Sequence, residues 1–101
     1  MKTINSDEEA FRGILDAMYD TYKKKNQDYG NSFHELFVED GPIVGKIHIS
    51  EKYKRFVQLL TSGKNMVENE HIEDSLLDMA NYCILTLIEM WKREGRLENK
   101  E

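Results

Sequence analysis

The residues with the clearest chemical potential are three polar side chains set into the most apolar stretch of the chain. Between Ile72 and Trp91 the sequence reads IEDSLLDMANYCILTLIEMW, and Asp74, Asp78 and Asn81 interrupt it at i, i+4 and i+7. On a helix these three share one side, within about 60° of one another. A carboxylate beside so much apolar surface is costly unless a cation, a metal ion or hydrogen-bond donors satisfy it. A face turned to water meets the same need, so the pattern leaves two alternatives, a solvated stripe or a site.

A second stripe has the complementary chemistry. His48, Glu51 and Arg55 recur at i, i+3 and i+7, with Lys52 beside them, and they point away from Ile49, Tyr53, Phe56, Val57 and Leu60. Glu51–Arg55 is also the spacing of a simple surface ion pair. If the two stripes face each other, Glu51, Asp74 and Asp78 can converge on Mg²⁺, while His48, Lys52 and Arg55 take phosphate oxygens and Asn81 hydrogen-bonds a ribose or a neighbouring cation. The third element is DYGNSF at 28–33. There Asn31 and Ser32 offer donors at a helix N-terminus, and Tyr29 and Phe33 either stack a base or staple the turn to the core. Lys25, the last of the run Lys23-Lys24-Lys25, is counted as a further ligand contact, although the run also complements a helix dipole.

The elements that must position these residues are helices. Ser6 and Glu9 have capping-box spacing, and Phe11, Ile14, Leu15, Met18 and Tyr22 follow as one apolar stripe to about residue 25. A turn is expected over 26–31. A short helix from Ser32 carries Phe33, Leu36 and Phe37, and Glu39-Asp40-Gly41-Pro42 ends it and opens the next. The second long helix covers about 42–62, with Gly63 as terminator and Gly45 either weakening its first turns or admitting a close neighbour. The third covers about 70–93. No strand-like alternation appears. The expected fold is all-α: a single domain over 1–101, built as an antiparallel bundle of three long helices and one short, frayed at 1–5 and 94–101.

Composition narrows the function. The 101 residues include 19 acidic and 14 basic side chains, a net charge of −5, which argues against general nucleic-acid binding. The lone Cys83 reads as a small buried core residue in a reducing compartment. The start MKTINSDEEA has no apolar core of a signal peptide, and the charges within 72–91 oppose membrane insertion, so a soluble cytoplasmic protein is expected. The third long helix is apolar over more than half its circumference (Leu76, Leu77, Met79, Cys83, Ile84, Leu87, Ile88), more than two other long helices can cover. Self-association, most simply as a dimer, is the expected remedy.

KKKNQDYGNSF at 23–33, KIHISEKYKRFVQLL at 46–60 and IEDSLLDMANYCIL at 72–85, in that order, resemble the phage nucleotide modification-associated domain family, first type, over about residues 8–90. The resemblance implies a phage or prophage protein of nucleotide metabolism. The all-α shape with acidic helices is also similar to MazG-type nucleotide pyrophosphatases and dimeric dUTPases, which hold Mg²⁺ through Glu-x-x-Glu and Glu-x-x-Asp pairs. Here Asp74 and Asp78 are four apart, and His48-Ile49-Ser50-Glu51-Lys52 stands where the family usually has Arg-Ile-Gly-Asp-Lys. Two functions follow from the resemblance and the residues together. One is a Mg²⁺-dependent nucleotide phosphohydrolase or nucleotide-metabolism accessory protein. The other is a non-catalytic module that sequesters a nucleotide signal or assists DNA base modification.

Overall fold

The computed structural model describes residues 3–29, 31–62 and 69–98, leaving aside the side chains of 26–29 and 69–71. Its elements are α1 (Asp7–Tyr29), α2 (Ser32–Asp40), α3 (Ile43–Ser62) and α4 (Asn69–Arg93). The protein is all-α, three long helices and one short, with no strand among the described residues. Gly30, Gly63 and the ends 1–2 and 99–101 lie outside the described residues, so the terminator expected at Gly63 and those parts of the frayed ends do too.

Local signals explain most helix ends. The Ser6 hydroxyl accepts the Glu9 amide at 3.1 Å, and the Glu9 carboxylate accepts the Asn5 amide at 3.2 Å, a capping box reaching one residue further back than the reciprocal form. Replacing Ser6 with alanine should cost about 1 kcal/mol of helix stability, seen as faster amide exchange in the first turn of α1. The turn expected from Asn26 starts later, because α1 runs on to Tyr29. Asn, Gln and Asp each cost at most about 0.7 kcal/mol inside a helix that is already nucleated.

Gly41, at φ 80°, closes α2 by donating its N–H to the Phe37 carbonyl at 2.8 Å. Pro42 then opens α3, its carbonyl accepting the Lys46 amide where its own missing N–H is not needed. Beyond α4, where fraying was expected from residue 94, the chain forms a hydrogen-bonded cap. Gly95 (φ 77°) donates to the Lys92 carbonyl and Arg96 to the Trp91 carbonyl at 2.8 Å, the paired bonds of a Schellman motif. The Arg96 guanidinium lies 4.5 Å from the centre of the Trp91 ring.

The chain divides into two compact units, residues 1–32 and 33–101. In the first, the apolar stripe of α1 is open: Phe11, Ile14, Leu15 and Tyr22 are all exposed. In the second, α3 and α4 pack together, and their antiparallel register can be read from three successive pairs. Gly45 meets Thr86, His48 meets Tyr82, and Lys52 meets Asp78, each step about one helical turn along both partners. Among the described residues Phe37, Val44 and Leu59 are the buried apolar side chains.

This register corrects two expectations. Of the apolar side expected on α3, Ile49, Phe56 and Val57 are half-buried while Tyr53 and Leu60 are exposed, so the packed face is not the one on which that side centres. It is the strip through Gly45, His48, Lys52 and Leu59, rotated by about 100°. The cause is Gly45, which has no side chain and lets α4 approach so closely that a Cβ there would collide with the Thr86 hydroxyl. Cys83 is exposed rather than buried. It lies one residue round α4 from Tyr82, off the face that meets α3, as do the exposed Leu76, Leu77, Ile84 and Leu87. No helix of the described residues is long and apolar enough to cross a membrane.

Candidate functional site on the α3–α4 seam

The acidic stripe of α4 reaches α3 through Asp78, and the residue that meets it is Lys52, beside the His48–Glu51–Arg55 stripe. The Lys52 ammonium lies 3.2 Å from Asp78 Oδ2, with the two side chains 34% and 39% exposed. That exposure leaves both heads open to solvent and to a ligand. Arg55 instead hydrogen-bonds Gln58 one turn on, at 3.3 Å in solvent. Glu51 and Asp74 are exposed, and Asn81 is half-buried on α4. Among the described residues no group of three His, Cys, Asp or Glu side chains is placed to hold a metal ion.

One turn along the seam from Lys52–Asp78 is a cluster of rings. His48 stands edge-on to Tyr82 with centroids 4.7 Å apart, and Phe33 from α2 packs on both, at 5.6 Å and 5.8 Å. Phe37 continues the cluster, 6.0 Å from Phe33. Within it the His48 Nδ1 is buried with no hydrogen-bond partner among the described residues. Such an atom costs on the order of 1–3 kcal/mol and is retained where something other than stability selects it. His48, Lys52, Asp78 and Phe33 are thus brought together, and Tyr82 joins them.

At the far end of the seam lies an ionic cluster that sequence reasoning missed. His34 Nδ1 donates to Glu89 Oε1 at 2.6 Å, with His34 only 2% exposed, and the other carboxylate oxygen takes Lys92 Nζ at 3.2 Å. A cavity of about 500 Å³ opens against this cluster, between the Gly41–Pro42 turn and the end of α4, with Arg93 at its edge. The Arg93 guanidinium sits 5.8 Å from the centre of the Phe37 ring. Short, charge-assisted bonds of this kind are strong and fix α2 onto the end of α4.

Of the remaining expected ligand contacts, Lys25, Asn31 and Ser32 belong to the first unit, where Lys25 and Asn31 are exposed and Ser32 is the first residue of α2. The side chain of Tyr29 lies outside the described residues.

The family model described as Nucleotide modification associated domain 1 matches residues 25–90. The chain belongs to that family. The Nucleotide modification associated domain covers the whole α3–α4 seam, from the Gly45–Thr86 contact to Lys52–Asp78, together with α2, His34 and Glu89. It stops short of Lys92, Arg93 and the Gly95 cap, and takes in only the last residues of α1. No curated protein and no solved structure matches the chain.

Proposed function

We propose that this Nucleotide modification associated domain protein, as a phage or prophage product, binds a nucleotide on the α3–α4 seam. Lys52 would hold the phosphate and the ring cluster of Phe33, His48 and Tyr82 would flank the base. The observation that carries the reading is the half-exposed Lys52–Asp78 pair one turn from the ring cluster that buries the unpartnered His48 Nδ1. A lysine, an adjacent carboxylate and aromatic faces are what phosphate, ribose and base each require, and the family's description supports a nucleotide as ligand.

The sign of one substitution separates the ways of holding the phosphate. Where Lys52 contacts it directly, Asp78 competes for the ammonium, so Asp78→Ala tightens nucleotide binding and Lys52→Ala weakens it roughly tenfold, a loss of about 1.4 kcal/mol. Where Mg²⁺ bridges Asp78, with Asp74 one turn away as the second carboxylate, Asp78→Ala and EDTA both weaken binding. Isothermal titration with a panel of nucleotides, with and without Mg²⁺, is expected to give the first result. Affinity unmoved by Lys52→Ala would reject the site. The same mixtures, denatured and chromatographed, show whether the nucleotide returns intact, as a sequestering protein requires, or hydrolysed, as a phosphohydrolase requires.

A further inference from the structure

The open face of α1 has its own pattern of spacing and charge. Glu8, Phe11, Leu15, Met18, Tyr22 and Lys25 recur at intervals of 3, 4, 3, 4 and 3, the a/d spacing of a two-helix seam. Phe11 is 68% exposed, Leu15 42% and Tyr22 38%. Neither Glu8 nor Lys25, the charged residues at the two ends of the seam, has an ion-pair partner among the described residues. By contrast Arg12 pairs with Asp16, and Lys23 with Asp20, on the flank of the same helix. The seam is therefore apolar in the middle, acidic at one end and basic at the other.

We propose that α1 pairs antiparallel with α1 of a second copy of this chain. About a two-fold axis between Leu15 and Met18, the seam is its own complement. Leu15 meets Met18 of the partner subunit, Phe11 meets Tyr22 of the partner subunit, and Glu8 meets Lys25 of the partner subunit, with the same three pairs repeated across the axis. An isologous contact of this kind closes on itself. Parallel pairing would set Glu8 against Glu8 of the partner subunit, and Lys25 against Lys25 of the partner subunit, so the charges select the antiparallel arrangement as well as the partner. A 23-residue helix gains much of its stability from covering such a stripe.

The test is charge reversal at the two ends, read by light scattering and sedimentation equilibrium on the full chain, with circular dichroism to follow helicity. Wild type is expected at about twice the 11.9 kDa chain mass. Glu8→Lys and Lys25→Glu should each raise the dimer dissociation constant roughly tenfold, and the double variant carrying both should recover most of the loss. Both residues of the double variant oppose the helix dipole, so its recovery reports pairing between copies and not helix stability. A wild-type monomer would overturn the proposal, the stripe then being covered by the rest of its own chain. So would a dimer indifferent to either reversal, which would pair through another face, and so would a double variant no better than the single ones.

Discussion

Replacing Glu89 with alanine is expected to destabilise the protein by roughly 3 kcal/mol, the upper end of the cost of leaving a buried hydrogen-bonding group without its partner. The carboxylate holds His34 on one oxygen and Lys92 on the other. Lys92 has a long stem and some exposure, so it can swing its charge into water. His34 is 2% exposed and cannot, and its Nδ1 loses the carboxylate it was built against. For a chain of about 100 residues such a loss lowers the melting temperature by more than about 10 °C. The companion variant is His34→Leu with Glu89→Leu. Apolar groups of similar size in place of both partners leave no stranded hydrogen-bonding group between α2 and α4, so most of the lost stability should return. A melting temperature unchanged by Glu89→Ala would show that the cluster does not hold α2 in place.

The second large effect is expected at Gly45, and its direction is opposite to what helix propensity alone gives. Alanine is favoured over glycine in a helix by about 1 kcal/mol, so Gly45→Ala on an open face would stabilise. Here the new methyl would meet the Thr86 hydroxyl and lie 2.7 Å from its Cγ2. The Thr86 side chain is held in that position by its own bond to the Tyr82 carbonyl, 2.7 Å. Overpacking of this kind costs about 1–3 kcal/mol, and the shift should be read most clearly at the neighbouring His48–Tyr82 contact by near-ultraviolet circular dichroism. Gly45→Ala with Thr86→Ala removes the two nearest atoms and should recover most of the loss. Two single variants whose effects simply add would show that the helices do not touch there.

The helix inventory was largely legible in the sequence because its signals are local. Ser6 with Glu9, Gly41 with Pro42 and the apolar periods of the long helices each act within a few residues. The facing of α3 and α4 was only half legible. The idea that the Asp78 stripe meets a basic stripe on α3 holds, but the partner is Lys52 rather than Arg55 or Glu51. The rotation that decides between them is set by how closely Gly45 admits Thr86, a property of two residues far apart in sequence. Hydrophobic periodicity points to Ile49, Tyr53, Phe56, Val57 and Leu60 as the buried side, of which Tyr53 and Leu60 are exposed, because it counts apolar side chains and gives no weight to a glycine contact. His34 and Glu89 were passed over for the same reason, each looking like a polar interruption in an apolar helix. Their signal was present: a histidine between Phe33 and Phe37, and a glutamate between Ile88 and Met90, are the polar groups that need a partner.

The antiparallel seam also dictates an order of assembly. Lys52 and Asp78 close the shortest loop of the three successive pairs, His48 and Tyr82 the next, and Gly45 and Thr86 the longest, while His34 reaches Glu89 across 55 residues. Entropy of closure rises with loop length, and opposite charges attract before shapes fit, so the hairpin zips from the Lys52–Asp78 end toward the tight glycine contact, and α2 docks last. Contacts formed early govern the folding rate, and those formed late govern the rate of escape. Charge substitutions at Lys52 or Asp78 therefore act chiefly on the refolding arm of a chevron plot. Changes at Glu89 act chiefly on the unfolding arm and set how long a folded molecule persists.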